Sequence, residues 1–377
     1  MPNNISQPFQ EIDYSIDLNK FPLPEKTDQL IAELYSNLLT KIRPNWTLKN
    51  LKYKAFSEGL TNRLYGFWHN QNENSKISDN DNYAEAVVLR INGAGTENII
   101  DRDRELKVWK ELSDRNAAGK LFLKYNSGIL FEFCRGHTIQ MKDNHYKQDN
   151  IWRSISQQMA ETHNLDMPIF DEKRDSIPAW TYLCNHFLGQ VNSFENLQRK
   201  EDFYRNSMKI IDSIPKKSQK YNSNKLVFCH NDLLGNNILF ETDNNKSNFI
   251  DFEYAGYNYA AFDIGNHFNE FTGTDEFEYL RDFPDEEFRK KWIENYIRSR
   301  EGNSGNQDDQ EFEVDQKDIE DLHYDVQVMC LASHLTWAIW ALFQNENSDS
   351  EDFDYAEYSG IRIAEMVRFG KTIGVEF

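Results

Sequence analysis

The sequence predicts an α+β protein of two lobes, a small β-rich N-terminal lobe and a larger helical C-terminal lobe. A chain of 377 residues is long for one compact core. Strand-like segments concentrate between residues 46 and 133, whereas helical periodicity dominates from about residue 150. We therefore expect a flexible N-terminal arm over 1–25, one lobe over 26–135 and a second lobe over 136–377.

The N-terminal lobe is predicted to start with a helix and to continue as strands. Apolar residues at helical spacing, among them Leu30, Leu34 and Leu38, predict a helix over 26–42. The elements predicted after it are strands at 46–56, 63–69 and 85–90, a surface loop at 71–82, a helix at 99–113 and a short strand at 128–133. Arg135-Gly136 breaks the last strand and marks the boundary between the lobes.

The C-terminal lobe is predicted to be helical around one β-rich segment at 226–253. The most apolar stretch of the chain, 328–343, is too short to span a bilayer and contains polar residues, so it predicts a buried helix. The acidic and polar stretch 301–318 is predicted to be a disordered insertion.

The composition argues against several classes of partner. With 42 basic and 62 acidic residues the net charge is −20, which repels nucleic acid and anionic membranes. The four cysteines are too widely spaced for a CxxC metal site, and we expect buried thiols in a reducing cytosol. The N-terminus has neither the basic nor the apolar region of a signal peptide, so we expect a cytoplasmic protein without stable membrane insertion.

The β-rich segment carries a spacing that is typical of phosphoryl transfer. His230, Asp232 and Asn237 form a His-x-Asp-x-x-x-x-Asn pattern, and Asp251 ends the apolar strand that follows. This is the pattern of a phosphotransferase catalytic loop and its metal-binding aspartate. Asp232 would accept the proton of the attacking hydroxyl, Asn237 and Asp251 would offer oxygens to Mg²⁺, and His230 would brace the loop. A hairpin turn would match this spacing by accident in about one chain in twenty of this length.

Two upstream features match the other needs of a nucleotide site. A turn between two predicted strands offers hydroxyl and backbone N–H groups to phosphates, and its candidate residues are Ser57, Gly59, Thr61 and Asn62. Arg90 ends the next strand, and Glu105 lies on the following predicted helix. A cation and a glutamate so placed position nucleotide phosphates in kinases, here with Arg in place of Lys. An ordinary hairpin turn and a surface ion pair are the structural alternatives.

Together these residues resemble the choline/ethanolamine kinase family. The matching blocks are 228–232, 250–259, 262–271 and 331–334, followed by Trp337 and Trp340. The resemblance implies a eukaryotic-protein-kinase-like fold that binds ATP and two Mg²⁺ in a cleft between its lobes. It implies Asp232 as the base, with His230 in the same catalytic loop, and Asn237 and Asp251 as metal ligands.

The resemblance also implies the nucleotide contacts. Arg90 and Glu105 match the nucleotide-positioning pair, and residues 57–62 match the phosphate loop. Glu132 and Phe133 fall in the segment that contacts adenine.

Aromatic residues of the C-terminal lobe predict a pocket for an ammonium group. Trp337 and Trp340 are three residues apart and share one face of a helix. The remaining candidates are Tyr254, Glu270, Phe353 and Tyr358. Rings attract an ammonium by cation–π contact, and Glu270, which matches a pocket acid of the family, would add a negative charge. Core packing is the alternative for each ring, and for Phe353 and Tyr358 the two interpretations are equally supported.

The resemblance favours ethanolamine as the substrate. The segments 56–62, 101–103, 230–234 and 269–271 look like those of ethanolamine kinases, which make phosphoethanolamine in the first step of the CDP-ethanolamine route to phosphatidylethanolamine. A choline kinase or a dual choline/ethanolamine kinase, serving phosphatidylcholine, remains an alternative because both tryptophans of a choline cage are present. An aminoglycoside kinase and an inactive kinase fold that only binds a partner are two further candidates. The oligomeric state stays open, and a homodimer is compatible with the sequence.

Overall fold

The computed structural model describes residues 9–16, 27–56, 62–69, 85–93, 101–140, 145–168, 177–191, 194–213, 225–273, 277–302, 313–348 and 353–377. It divides into two compact units, Met1–Arg135 and Gly136–Phe377. Most of the predicted phosphate loop, residues 57–61, lies outside the described residues, as does the predicted surface loop at 71–82.

The first unit is built on a six-stranded sheet with the strand order β1-β5-β6-β4-β3-β2. The strands are β1 Gln10–Ile12, β2 Leu51–Phe56, β3 Arg63–His69, β4 Val87–Ile91, β5 Leu121–Tyr125 and β6 Gly128–Glu132. Helix α1, Thr27–Leu34, continues as a π-helical turn at Tyr35–Leu39 and a last turn at Thr40–Ile42. Its apolar residues pack on the sheet in one core cluster, which explains the helical periodicity of this segment.

Strand β4 is the centre of this sheet, and all five of its residues are buried. It pairs antiparallel with β3 on one side and β6 on the other, so Arg90 faces Leu64 and Ile129. Gly128 at the start of β6 is required by this close pairing, since a Cβ there would lie 1.9 Å from the Arg90 carbonyl oxygen. The sheet therefore fixes the backbone of Arg90 from both sides.

Helix α2, Arg102–Asp114, follows the sheet's central strand in the chain. The Asp101 side chain caps its first turn by accepting a hydrogen bond from the Arg104 N–H at 3.0 Å. Trp109 and Leu112 lie on its buried side together with Glu105. The predicted helix at 99–113 is thus present, and it carries Glu105 inward.

The described part of the predicted flexible arm is ordered into the sheet instead. Strand β1 pairs in parallel with β5, placing Gln10 opposite Leu123, and Ile16 is buried in the core cluster. Strand β1 has only three residues and no alternating pattern of its own. It forms because it pairs in parallel with a segment more than 100 residues away, and local periodicity cannot predict such a pairing. The expectation of a loose arm is wrong for residues 9–16.

The second unit is mostly helical, as predicted. Its helices are α3 Asp149–His163, α4 Ala179–Gln190, α5 Phe194–Ser213, α6 Ala260–Asn269, α7 Tyr279–Asp282, α8 Glu286–Gly302, α9 Gln316–Asn347 and α10 Tyr355–Thr372. The strands of this unit are β7 His137–Thr138, β8 Val227–Cys229, β9 Ile238–Glu241, β10 Lys246–Phe249 and β11 Gly256–Asn258, and the last four come from the predicted β-rich segment and its continuation. Strand β8 pairs with β11, while β9 lies between β10 and β7.

Helix α9 is the central element of the second unit. It is long and apolar enough to cross a membrane, but 89% of its most apolar window is buried inside the fold. The prediction of a buried helix at 328–343 is therefore confirmed. Gly265 of α6 packs closely on it, because a Cβ at this position would lie 2.9 Å from the Cys330 backbone nitrogen. Residues 316–318 belong to α9, so the predicted disordered insertion is wrong there, and residues 303–312 lie outside the described residues.

The four cysteines are free thiols. Cys184, Cys229 and Cys330 are buried, as expected, whereas Cys134 is half-buried. Burial raises the pKa of the Cys184 thiol to about 12, so this group is unreactive at neutral pH.

Candidate active site

The predicted catalytic loop leaves strand β8 through a left-handed residue, Asn231, with φ of 69°. Asparagine tolerates this conformation when its side chain is held locally. Here the Asn231 amide donates to the Tyr254 carbonyl at 2.9 Å and accepts from the Asn258 amide at 2.8 Å. The turn into the loop is therefore bound to the segment that leads into β11.

Asp263 on α6 anchors the same loop. Its two carboxylate oxygens accept the backbone N–H groups of His230 at 2.8 Å and Asn231 at 2.7 Å. His163 lies 3.0 Å from the carboxylate and 2.7 Å from the Tyr296 hydroxyl. Burial alone would raise the pKa of Asp263, but its bond to His163 and the loop N–H groups outweigh burial and lower it. Sequence reasoning assigned Asp263 no role, although it is an acidic residue in an otherwise apolar run.

His230 bridges the two ends of the loop. Its Nε2 lies 2.8 Å from the Ile250 carbonyl oxygen, and its Nδ1 accepts the Asp232 N–H at 3.3 Å. This pattern requires a neutral ring with the proton on Nε2, and burial lowers the pKa of His230 in agreement. The hydrogen bonds expected of a bracing residue are present, and neither ring nitrogen is left for proton transfer.

Asp232 and Asn237 lie in direct contact. The Asn237 amide nitrogen donates to the Asp232 carbonyl at 2.8 Å and to Asp232 Oδ2 at 3.3 Å. Burial raises the pKa of Asp232 well above its usual value, and the carboxylates of Glu270, Asp251 and Glu253 raise it further. The negative charges of these side chains act on Asp232, so a cation nearby would favour its ionised form.

Asn237 and Asp251 are tied together by their backbones. The Ile250 N–H donates to the Asn237 carbonyl at 3.0 Å, which brings the next residue, Asp251, beside the loop. Asp251 has a φ of 62°, a conformation that a non-glycine residue adopts at functional sites more often than elsewhere. The side-chain nitrogen of Asn237 faces Asp232, so the side-chain oxygen of Asn237 is turned away from Asp232. Among the described residues no hydrogen bond engages this oxygen.

The Arg90–Glu105 pair lies within the first unit. The guanidinium donates two parallel hydrogen bonds to the carboxylate, at 2.5 and 2.8 Å, and both residues are buried. Arg102 adds a third, at 2.9 Å. Burial alone would raise the pKa of Glu105, but the two arginines lower it. This geometry differs from the surface ion pair that was the alternative, and Arg102 is a contributor that sequence reasoning missed.

The remaining predicted nucleotide contacts are only partly described. Ser57, Gly59 and Thr61 lie outside the described residues. The Asn62 side-chain oxygen accepts from Arg102 and from the Gly93 N–H, each at 3.4 Å, which links this end of the turn to the arginine cluster.

The segment predicted to contact adenine ends strand β6. The Glu132 carboxylate accepts the Lys120 N–H at 3.1 Å, and the Phe133 N–H donates to the Ala86 carbonyl at 3.2 Å. These bonds hold the segment against the backbone at Lys120 and Ala86 of the same unit.

All five predicted pocket aromatics lie in one cluster on the second unit. Trp337 and Tyr358 are buried, while Tyr254, Trp340 and Phe353 are partly buried around them. The Tyr254 and Trp337 rings stand edge to face at 5.4 Å, and the Trp337 and Trp340 rings do so at 5.7 Å. Phe353 contacts Tyr358 at 5.3 Å. The cluster also contains Phe277 and Tyr355, which sequence reasoning did not include.

Glu270 lies at the end of α6 and is 7% exposed. Its Oε1 accepts a hydrogen bond from Arg362 at 2.9 Å, and both side chains are buried. The predicted pocket acid is therefore matched by a cation, and the pair carries little net charge. Arg362 was missed by sequence reasoning, although its position one helical turn after Tyr358 places the two on one face of α10.

Comparison with known proteins identifies one family that matches most of the chain. The family model described as "Choline/ethanolamine kinase" matches residues 53–367. Ethanolamine kinase 2 of Rattus norvegicus is 30% identical over 339 residues, covering 86% of this chain and 78% of the relative. Among solved structures, an ethanolamine kinase of Plasmodium vivax has a TM-score of 0.72 at 21% identity, covering 93% of this chain and 91% of that one. A choline kinase of Cryptosporidium parvum has a TM-score of 0.70 at 23% identity, with coverages of 92% and 96%.

Proposed function

The chain belongs to the choline/ethanolamine kinase family, and we propose that it transfers the γ-phosphate of ATP to the hydroxyl of ethanolamine. Membership makes it a small-molecule kinase that uses ATP. The observation that supports the substrate is the arrangement within the second unit, where an aromatic cluster and the Glu270 carboxylate accompany the catalytic loop. The curated relatives that match most of the chain are named ethanolamine kinases.

Asp232 is the base in this proposal. Its carboxylate is oriented by the Asn237 amide and by a loop that Asp263 and His230 hold in place. A rigid carboxylate can accept the proton of the substrate hydroxyl as that oxygen attacks the phosphorus. His230 acts as a brace and does not transfer a proton, because both of its ring nitrogens are used.

Asn237 and Asp251 would hold Mg²⁺. Both offer oxygen ligands, and the Asn237 amide is already turned so that its oxygen is available. The raised pKa of Asp232 among neighbouring carboxylates also indicates a site that gains stability from a cation. When bound, Mg²⁺ supplies charge neutralisation for the phosphates, and these two residues determine where that charge sits.

We assign nucleotide binding to the first unit and catalysis with substrate binding to the second. In the first unit, Arg90 and Arg102 share the Glu105 carboxylate, so the cluster keeps one net positive charge in a fixed place for phosphate oxygens. In the second unit, the cluster of Tyr254, Trp337 and Trp340 offers ring faces to the ammonium of the amino alcohol. Four free thiols support a reducing compartment, which fits a cytosolic enzyme.

Choline is the second candidate substrate, favoured by the two tryptophans of the cluster. A trimethylammonium has no N–H donors, so it depends on ring contacts, whereas an ammonium also needs acceptors such as Glu270. Steady-state kcat/KM for ethanolamine, choline and an aminoglycoside, measured at saturating ATP, tests the proposal. We expect the largest value for ethanolamine, and turnover of the aminoglycoside alone would refute it.

A further inference from the structure

Arg362 is an almost fully buried arginine on α10 that contacts three other elements of the second unit. Its Nη1 donates to Glu270 Oε1 at 2.9 Å and to the Tyr279 hydroxyl at 3.3 Å. Its Nη2 donates to Ser333 Oγ on α9 at 3.1 Å. The guanidinium also lies over the Tyr358 ring, 5.6 Å from its centroid. A cation with 1% side-chain exposure and four specific contacts is costly to bury and rigidly held.

One of these contacts leads to the aromatic cluster. Ser333 Oγ donates to Asn266 Oδ1 at 2.8 Å, and the same oxygen accepts the Trp337 indole N–H at 2.7 Å. The indole in turn stands edge to face on Tyr254. The orientation of Trp337 is thus set by a hydrogen-bonded chain that starts at the Arg362 guanidinium.

Another contact leads to the pocket acid. Glu270 Oε1 is occupied by Arg362, while no hydrogen bond engages Glu270 Oε2 within the described part of the chain. The carboxylate therefore keeps one oxygen for a ligand, and its direction is fixed by the bond that the first oxygen makes. Since the pair is close to neutral, the pocket would select an ammonium by contact geometry more than by net charge.

We propose that Arg362 is a positioning residue for the amino-alcohol site, setting the Glu270 carboxylate directly and the Trp337 indole through Ser333 and Asn266. The inference rests on the proposed function, because it takes the aromatic cluster as the ammonium site. Arginine suits the role because its planar fork holds several partners in fixed directions, whereas a lysine carries the same charge without the fork.

Two sets of contacts start at the Arg362 guanidinium. The Glu270 arm is its direct bond to Glu270, and the Trp337 arm runs through Ser333 and Asn266 to the Trp337 indole. The two arms differ in chemistry. The Glu270 arm offers a hydrogen-bond acceptor, which matters for ethanolamine and its three N–H donors. The Trp337 arm offers a ring to the methyl groups of choline. Loss of the Ser333 hydroxyl would loosen only the second arm, while loss of the guanidinium fork would loosen both.

The decisive variant is Arg362→Lys, because it keeps the charge of the pocket and removes the fork. We expect the KM for both ethanolamine and choline to rise about tenfold, with the KM for ATP changed less than about twofold. Ser333→Ala should raise the KM for choline about threefold and that for ethanolamine less. KM does not depend on the fraction of active enzyme, so partial unfolding would lower the apparent kcat without reproducing this pattern.

Arg368→Lys is the matched control, since Arg368 lies on the same helix, pairs with Glu365 and is 36% exposed at its side chain. Its kinetic constants should equal those of the wild type. Unchanged amino-alcohol KM values in Arg362→Lys would overturn the inference, and an unchanged choline KM in Ser333→Ala would overturn its Trp337 arm. If Arg362→Lys does not fold, Ser333→Ala decides. A wild type that phosphorylates neither amino alcohol would instead refute the proposed function.

Discussion

The proposed base, Asp232, shows how the backbone positions a single side chain. Burial raises the pKa of its carboxyl well above the usual range, and the charges of Glu270, Asp251 and Glu253 raise it further. The loop nevertheless holds it there through the Asn237 amide and the His230–Asp263 contacts. The arrangement is unfavourable without a cation, which is the condition expected of a residue that works beside Mg²⁺ and a cationic substrate.

Replacing this carboxylate should abolish catalysis while sparing the nucleotide. In Asp232→Asn the side chain keeps its shape but cannot accept a proton, so we expect kcat to fall by about a thousandfold or more. The Kd for ATP, measured by calorimetry, should change less than about twofold, because Asp232 is not assigned to nucleotide binding. A variant with near-normal kcat would show that another group is the base.

At the scale of single elements, helix α9 carries two residues of the proposed substrate site and, earlier along its length, a buried carboxyl without a described partner. Its Trp337 and Trp340 face the aromatic cluster. Earlier in the same helix, Asp325 is 3% exposed, and neither of its carboxylate oxygens has a hydrogen-bond partner within the described residues. One helix thus supports the proposed binding site and contains a buried carboxyl that weakens the fold.

Trp340→Ala should separate the two amino alcohols. Trp340 contacts the Trp337 and Tyr355 rings and is only partly buried, so its removal deletes ring surface without emptying the core. Cation–π contact matters most for a trimethylammonium, and we expect the KM for choline to rise about tenfold against about threefold for ethanolamine. Trp340→Phe keeps a ring and should show smaller changes of the same kind. Equal effects of Trp340→Ala on both substrates would contradict the aromatic site.

Asp325→Asn should stabilise the protein at neutral pH. Burial raises the pKa of Asp325 to about 7, with a further contribution from Asp321, whereas the carboxyl of the unfolded chain titrates near 3.8. The folded state therefore loses stability as pH rises from about 4 to about 7, and above that the loss stays constant. We expect the free energy of unfolding of the variant to exceed that of the wild type by about 2–4 kcal/mol at pH 8 and to differ little from it at pH 4. Glu320→Gln is the control, since Glu320 lies on the same helix, pairs with Lys290 and does not contribute to the raised pKa of Asp325. Equal denaturant midpoints for wild type and Asp325→Asn at pH 8 would count against a strained carboxyl.

At the scale of the whole molecule, the sequence predicted those features that depend on local pattern. Strands β2, β3, β4 and β6 and the helix carrying Glu105 followed from periodicity and turn residues, whereas the role of the loop at 230–237 remains a prediction. Strand β1 was missed because it pairs with a distant strand. Strand β5 was not predicted either, and the predicted strand 46–56 begins only at Leu51. The side chains of residues 57–61 remain predictions.

Two of the missed site residues share the cause given for strand β1, whereas Arg102 lies only three positions from its partner Glu105. Arg362 and Asp263 act on groups that are distant in the chain: Arg362 lies 92 positions from Glu270, and Asp263 lies 32 from Asn231. Neither residue stands in a motif whose spacing states its partner. Ring clusters were easier to predict, because residues three apart on a helix must share a face.

The net charge of −20 should act on the two substrates in opposite directions. A negative field attracts the ammonium of ethanolamine and repels ATP, and added salt screens both effects over a Debye length of about 10 Å at 0.1 M. Raising KCl from about 50 to about 300 mM should therefore increase the KM for ethanolamine and decrease the KM for ATP, each by up to about twofold. Steady-state kinetics at saturating Mg²⁺ measures both constants, and potassium acetate in place of KCl controls for a specific effect of chloride. Constants that move in the same direction would indicate that local groups such as Arg90 and Glu270, and not the field of the whole molecule, determine how each substrate approaches its site.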